Sequence, residues 1–145
     1  MRLSTKAEYA VRAMVDLSLN SSGRPVSLRE IAQREGIPLN YLEQLFFRLK
    51  KGNIVQSTRG ANGGYLLARD SSQIRLSDII TTVEEPLNPV SCLDAGNDGC
   101  ERSSRCATQQ VWKGLGSRIR EFLESISLEE LTRDAGILQQ NHPVE

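Results

Sequence analysis

Histidine is almost missing from this sequence: His142, near the C-terminal end, is the only one in 145 residues. With the commonest general base reduced to one tail residue and no nucleophile–base pairing in view, an enzyme is not expected. Cysteine is scarce as well. Three residues, an odd number, argue against a disulfide framework. No apolar run approaches the roughly 20 residues that a membrane helix needs, so no membrane partner is expected. The N-terminal stretch MRLSTKAEYA lacks the apolar core and cleavage site of a signal peptide. The glycine-rich run near residue 60 is not followed by Gly-Lys-Ser/Thr, which excludes a phosphate-binding loop of that type. Internal repeats and low-complexity tracts are absent too. These absences describe a cytoplasmic, non-enzymatic chain, long enough for one compact domain plus an appendage.

What is present begins with charge. The net charge is zero, yet residues 1–75 hold 12 Lys/Arg against 6 Asp/Glu and residues 76–145 hold 6 against 12. A basic half joined to an acidic half points to an N-terminal part that meets a polyanion, although two solvated surfaces of opposite sign would look the same.

Ala10, Ala13, Met14 and Leu17 follow the spacing of one buried helix face, which predicts a helix from about Lys6 to Leu19. Ser27 and Glu30 have the spacing of a capping box and start a short helix that Gly36 stops. Pro38 can open a third helix, where Leu42, Leu45, Phe46 and Leu49 form an apolar stripe ending near Lys51-Gly52. A short helix, a tight turn and a second amphipathic helix have the shape of a helix-turn-helix, about residues 28–51. Two strand-like runs, Ile54–Ser57 and Tyr65–Ala68, follow with Asn62-Gly63 between them, the signal of a hairpin that would be a wing over about 54–68. Arg59 and Arg69 flank its expected tip. Ser77 is expected to cap a helix ending near Val83, which closes a winged-helix domain over residues 1–84.

Residues 85–106 form a polar loop that holds all three cysteines as C-x7-C-x5-C. Thiolates are soft ligands for iron–sulfur clusters, zinc or copper(I), and the spacing points to metal binding ahead of a thiol switch. Cys106 stands at the start of the next predicted helix, where the helix dipole favours a thiolate. That helix, about Ala107 to Ser125, carries a seam of Val111, Leu115, Ile119, Phe122 and Ile126. A second copy of the chain is the simplest partner for the seam, the other possibility being its own domain. Ser127 begins a last short helix within a 107–135 dimerisation region. Residues 136–145 are expected to be a tail. The fold class is thus mainly α, a winged helix-turn-helix with a small hairpin and a long C-terminal helix.

The segments MRLSTKAEYAVRAMVDLSL, SLREIAQREGIPLNYLEQLFFRLKKGNIVQSTRGANGGYLLAR and ATQQVWKGLGSRI, with the cysteine loop between the last two, resemble the Rrf2 family of bacterial transcription regulators. The likeness spans roughly residues 1–135 and is nearest to the family's iron–sulfur cluster regulators. It implies a homodimer that binds double-stranded, palindromic operator DNA, with an iron–sulfur cluster, [2Fe–2S] rather than [4Fe–4S], held by Cys92, Cys100 and Cys106. It implies control of cluster biogenesis genes. A nitric oxide or redox sensor is the alternative, and an electron carrier or scaffold without DNA binding is the reading from another class. On the matching positions the recognition helix is Leu39 to Lys51, with Asn40, Tyr41, Glu43 and Gln44 toward the bases. Asn and Gln can pair with adenine and Glu can accept from cytosine. Arg59 matches the wing arginine that enters the minor groove. Two positions depart from the family pattern. Seven residues separate the first two cysteines where five are usual, and Gln109 stands where a histidine usually gives the fourth ligand. In nitric-oxide-sensing relatives an acidic residue of the first helix completes the cluster from the other subunit, and Glu8 matches it. The plainer reading of Glu8 is an ion pair with Arg12 one turn on. Asp94, Asp98, Glu101 and His142 are further candidates.

Overall fold

The structure, a computed structural model, describes residues 3–84, 88–93 and 104–142. Among these residues six α-helices and one hairpin follow in the order α1 (Thr5–Ser21), α2 (Leu28–Glu35), α3 (Leu39–Lys51), β1 (Val55–Thr58), β2 (Gly64–Leu67), α4 (Leu76–Val83), α5 (Ala107–Ser125) and α6 (Leu128–Asn141). Local chemistry sets the ends of the first helices. Ser4 Oγ accepts the Ala7 amide at the start of α1. The box at α2 is complete: Ser27 Oγ accepts the Glu30 amide at 3.2 Å and the Glu30 carboxylate accepts the Ser27 amide at 2.8 Å. Gly36 closes α2, its amide donating to the Ala32 carbonyl.

The core is built from one face of each helix. Ala10, Ala13, Met14 and Leu17 of α1 meet Ile31 of α2, the stripe Leu42, Leu45, Phe46 and Leu49 of α3, and Ile79 and Val83 of α4. Ile54 and Val55 close it from the hairpin side, and the Tyr65 ring packs edge-on against Phe46 at 5.0 Å. Burial of this apolar surface is the main force holding the helix-turn-helix to α1.

One ionic contact reinforces it. Asp16 is 4% exposed and accepts from Arg34 at two points, Nε at 2.9 Å and Nη2 at 2.8 Å. The bidentate pair ties the middle of α1 to the last turn of α2. Glu35 lies beside it and pairs with Arg12 at 3.4 Å. Burial first, and then the nearby Asp16 charge, push the Glu35 carboxyl above its usual range, with Arg12 pulling the other way.

The hairpin pairs Val55 with Leu67 through Thr58 with Gly64. Val26 adds a third edge by exchanging hydrogen bonds with Tyr65, at 3.0 and 2.8 Å. Gly64 makes that approach possible, since a Cβ there would stand 2.5 Å from the Val26 carbonyl oxygen. The turn spans residues 59–63, and its left-handed residue is Gly60, at φ 108, rather than the expected Asn62-Gly63. Only the residue at the tip's entry, Arg59, belongs to this turn. Arg69 follows β2 and pairs with Asp78 at 3.9 Å, so it does not flank the tip.

Two further expectations change near the C-terminal half. The cap of α4 is Arg75 rather than Ser77: the Asp78 carboxylate accepts the Arg75 amide at 2.8 Å. Arg75 is held extended by a bridge to Ser127, and the Leu76 and Leu128 amides donate to Ile126 and Ile74 across it. This clasp brings α6 back onto α1, where Thr132 donates to Ser18 at 2.9 Å and Leu128 is fully buried. Helix α6 therefore joins the same core as the first four helices. It continues to Asn141, through residues expected to be tail.

Candidate nucleic-acid interface and cysteine site

On α3 the buried stripe defines its opposite. Asn40, Glu43 and Gln44 are exposed, and with Phe47 and Lys51 they follow i, i+3, i+4, i+7 and i+11 along the outer face. One shallow depression is lined by Asn40, Glu43, Gln44, Phe47, Arg48 and Lys51. Pro38 caps α3 without a side-chain bond to the helix amides, which leaves its positive end open to an anion. Tyr41 is set differently from its neighbours: it is half-buried, with its ring edge-on to Tyr9 at 5.5 Å. Arg59 is exposed at the start of the wing turn and makes no ion pair among the described residues.

Sequence reasoning passed over Arg48. Its Nη1 donates to the Val83 carbonyl at 2.8 Å, the last residue of α4. Gly52, just past α3, also abuts α4, where a Cβ would come 2.7 Å from the Thr82 methyl. The C-terminal end of α3 is thereby fixed to the end of α4, nine residues ahead of Cys92.

Cys92 lies in a single 3-10 turn, Ser91–Leu93, and is half-buried. Asn88 Nδ2 donates to the Leu93 carbonyl and steadies that turn. Cys106 is the N-cap of α5 and is half-buried, with its sulfur 3.1 Å from Thr108 Oγ1. Cys100, with Asp94, Asp98 and Glu101, lies outside the described residues. Two soft donors, one of them at a helix N-terminus, suit an anionic thiolate-bound centre. Gln109, at the position of the usual histidine, is 6% exposed, and its amide donates to the Cys106 carbonyl. Pro89 packs against Gly116, bringing the Cys92 segment onto the flank of α5.

Glu8 is exposed in the first turn of α1. The expected ion pair with Arg12 is not formed, because Arg12 is engaged with Glu35 and lies over the Tyr9 ring. Glu8 instead edges an apolar groove lined by Leu3, Ala7, Val11, Leu76, Ile80 and Leu123. Among the described residues no three Cys, His, Asp or Glu side chains come together to hold a metal ion, so Glu8 does not join Cys92 and Cys106 within one chain. His142 is exposed at the end of α6, its amide donating to the Leu138 carbonyl.

The seam of α5 divides in two. Gly116 and Gln109 are buried on its inner side, and Ile119, Leu123 and Ile126 are half-buried. Val111, Leu115 and Phe122 are 60%, 41% and 63% exposed, so their part of the seam does not fold back on its own domain.

Residues 3–134 match the model of the Rrf2 family, described as an iron-dependent transcriptional regulator. The chain belongs to the Rrf2 family. As an Rrf2 protein it is a transcriptional regulator and not an enzyme, and its fold is the winged helix-turn-helix that the sequence implied. It is 47% identical over 138 residues to the HTH-type transcriptional regulator IscR of Xenorhabdus nematophila, covering 95% of this chain and 83% of that protein. The structure of IscR from T. potens superposes with a TM-score of 0.77 at 36% identity, covering all of this chain and 93% of the other. CymR, the global cysteine regulator of B. subtilis, gives 0.76 at 34% identity over 92% and 97% of the two chains. No helix among the described residues of this Rrf2 protein is long and apolar enough to cross a membrane.

Proposed function

We propose that this regulator is a cytoplasmic homodimer that reads palindromic double-stranded operator DNA and reports the state of an iron–sulfur cluster, controlling cluster biogenesis genes. The observation that carries the reading is the outer face of α3. Three side chains able to pair with base edges, Asn40, Glu43 and Gln44, stand together on it, and an exposed arginine, Arg59, stands at the start of the wing turn. Helix α3 enters the major groove and Arg59 the adjacent minor groove, with the lysines of α3 near the phosphates. Tyr41 acts from the side, its ring braced by Tyr9.

Arg59→Ala is expected to weaken binding to an operator selected from random duplex DNA by about 1–3 kcal/mol. Wild-type affinity should fall steeply as salt rises, from counterion release. Fluorescence anisotropy across a salt series measures both. Unchanged affinity in Arg59→Ala would remove the wing from the interface.

Cys92, Cys100 and Cys106 are the residues that would hold the cluster. When bound, it would supply a redox-reactive, anionic centre at these thiolates. With Gln109 buried and neutral, we assign the fourth position to Glu8 of the second subunit, reached across the dimer. Three thiolates and one harder oxygen donor suit a [2Fe–2S] centre with mixed ligation. The link from Arg48 to the end of α4 offers a route from the loop to α3. Glu8→Ala is expected to speed the loss of cluster absorbance in air while Gln109→Ala and truncation before His142 leave it unchanged. An effect confined to either of the latter two reassigns the ligand.

A further inference from the structure

Phe47 is the one large apolar side chain on the helix-turn-helix that is strongly exposed, at 61%. Among the described residues the others lie before α1, on α5 or on α6. A lone exposed phenylalanine needs no explanation in itself. Its position does. By helical spacing Phe47 sits at the centre of the outer face, three residues past Gln44, four past Glu43 and seven past Asn40, on the side away from the buried Leu42, Leu45, Phe46 and Leu49. It lines the same depression as those three polar residues. Lys51 lies 5.1 Å from its ring centroid, one turn further on. The cation restrains the ring and surrounds it with positive charge, the arrangement of a side chain that faces a polyanion.

We infer that Phe47 is a specificity-determining residue that packs on the C5-methyl group of a thymine in each operator half-site. The inference rests on α3 lying in the major groove as proposed above. In that groove thymine alone among the bases presents a methyl group, and apolar side chains read it by contact. Polar neighbours of Phe47 are matched to hydrogen-bonding edges, and the ring supplies the one kind of readout they lack. Phe47 stands about 5 Å along α3 from Glu43 and Gln44. At about 3.4 Å per base step, its thymine lies one or two steps from the bases those residues read.

The test uses an operator duplex selected from random DNA by the intact protein. Each thymine of a half-site is replaced in turn by deoxyuridine, which removes the methyl group and leaves every hydrogen-bonding group in place. Wild-type protein is expected to lose about fourfold in affinity per half-site at one thymine, the value of one buried methyl group. Phe47→Ala should bind the natural and deoxyuridine duplexes equally, and Phe47→Leu should keep part of the discrimination. Thermal melts of both variants should match wild type, because the side chain is solvated. Three results overturn the inference: no deoxyuridine position matters to wild type; Phe47→Ala keeps the wild-type pattern of losses; or Phe47→Ala binds every duplex as wild type does while regulation is lost, which would assign Phe47 to a protein partner. Arg59→Ala and Asn40→Ala controls separate the levels. If they too bind normally, the docking of α3 has failed; if they are weak and Phe47→Ala keeps the wild-type losses, only the role of Phe47 has.

Discussion

A Leu115→Asp/Phe122→Asp variant is expected to sediment as a folded monomer and to lose operator binding. Both residues lie on the exposed part of the α5 seam, at 41% and 63%, so the charges are solvated in the single chain. In the dimer they would be buried without partners, at a cost of several kcal/mol each. Ile119 and Ile126 are poorer places for this test, since both are half-buried by their own chain and substitution there would disturb the fold as well. From Val111 to Phe122 the exposed stripe is about 17 Å long, enough for paired helices to bury a continuous face. Loss of the proposed dimer would cost DNA affinity, because a palindromic site would reward two linked recognition helices together. Sedimentation velocity with anisotropy on the same samples measures both effects. A dimer of wild-type strength places the interface elsewhere.

Arg34→Met is expected to destabilise the fold although Arg34 lies on the surface of α2. It leaves the Asp16 carboxylate, 4% exposed, without the two hydrogen bonds that Arg34 gives it. The expected loss is about 2–3 kcal/mol, between the values for exposed and fully buried pairs, because the arginine side chain is 36% exposed. Combining it with Asp16→Asn should recover much of the loss, since the stranded charge is then gone. Urea unfolding of the two single variants and the double variant gives the coupling. Additive losses would mean that the pair contributes no more than two separate side chains.

The N-terminal architecture was legible because its signals are local. The Ser27 and Glu30 box, the stop at Gly36 and the stripe from Leu42 to Leu49 each act within a few residues, and α2 and α3 begin and end where these signals place them. What escaped depends on distant partners. Helix α6 packs against α1 as far as Gly136, with Leu19 3.8 Å from where a Cβ of Gly136 would stand, and the exposed residues beyond it continue the helix. The start of α4 is set by the bridge to Ser127, 52 residues away in sequence. Asp16 lies on the apolar face of α1, yet its partner Arg34 belongs to another helix, so no spacing within α1 reveals the pair. At the proposed interface, residue types suggested Asn40, Glu43, Gln44 and Arg59. Phe47 stands beside Phe46 in sequence, but its spacing puts it on the opposite face from the 42/45/46/49 stripe, and its 61% exposure bears that out. The ion pair of Glu8 with Arg12 was a sound local expectation that the Glu35 carboxylate overrides.

We propose that a cluster at the cysteine loop sets how tightly the recognition helices hold DNA. The most direct test is operator affinity for one anaerobic preparation, measured before and after cluster removal, beside a Cys92→Ala/Cys100→Ala/Cys106→Ala variant. Affinity is expected to change about 5- to 150-fold on cluster loss, the usual size of an allosteric coupling, with the variant fixed at the cluster-free value under both conditions. Equal affinity before and after removal, in a preparation whose visible spectrum shows that the cluster was present and then lost, would contradict it.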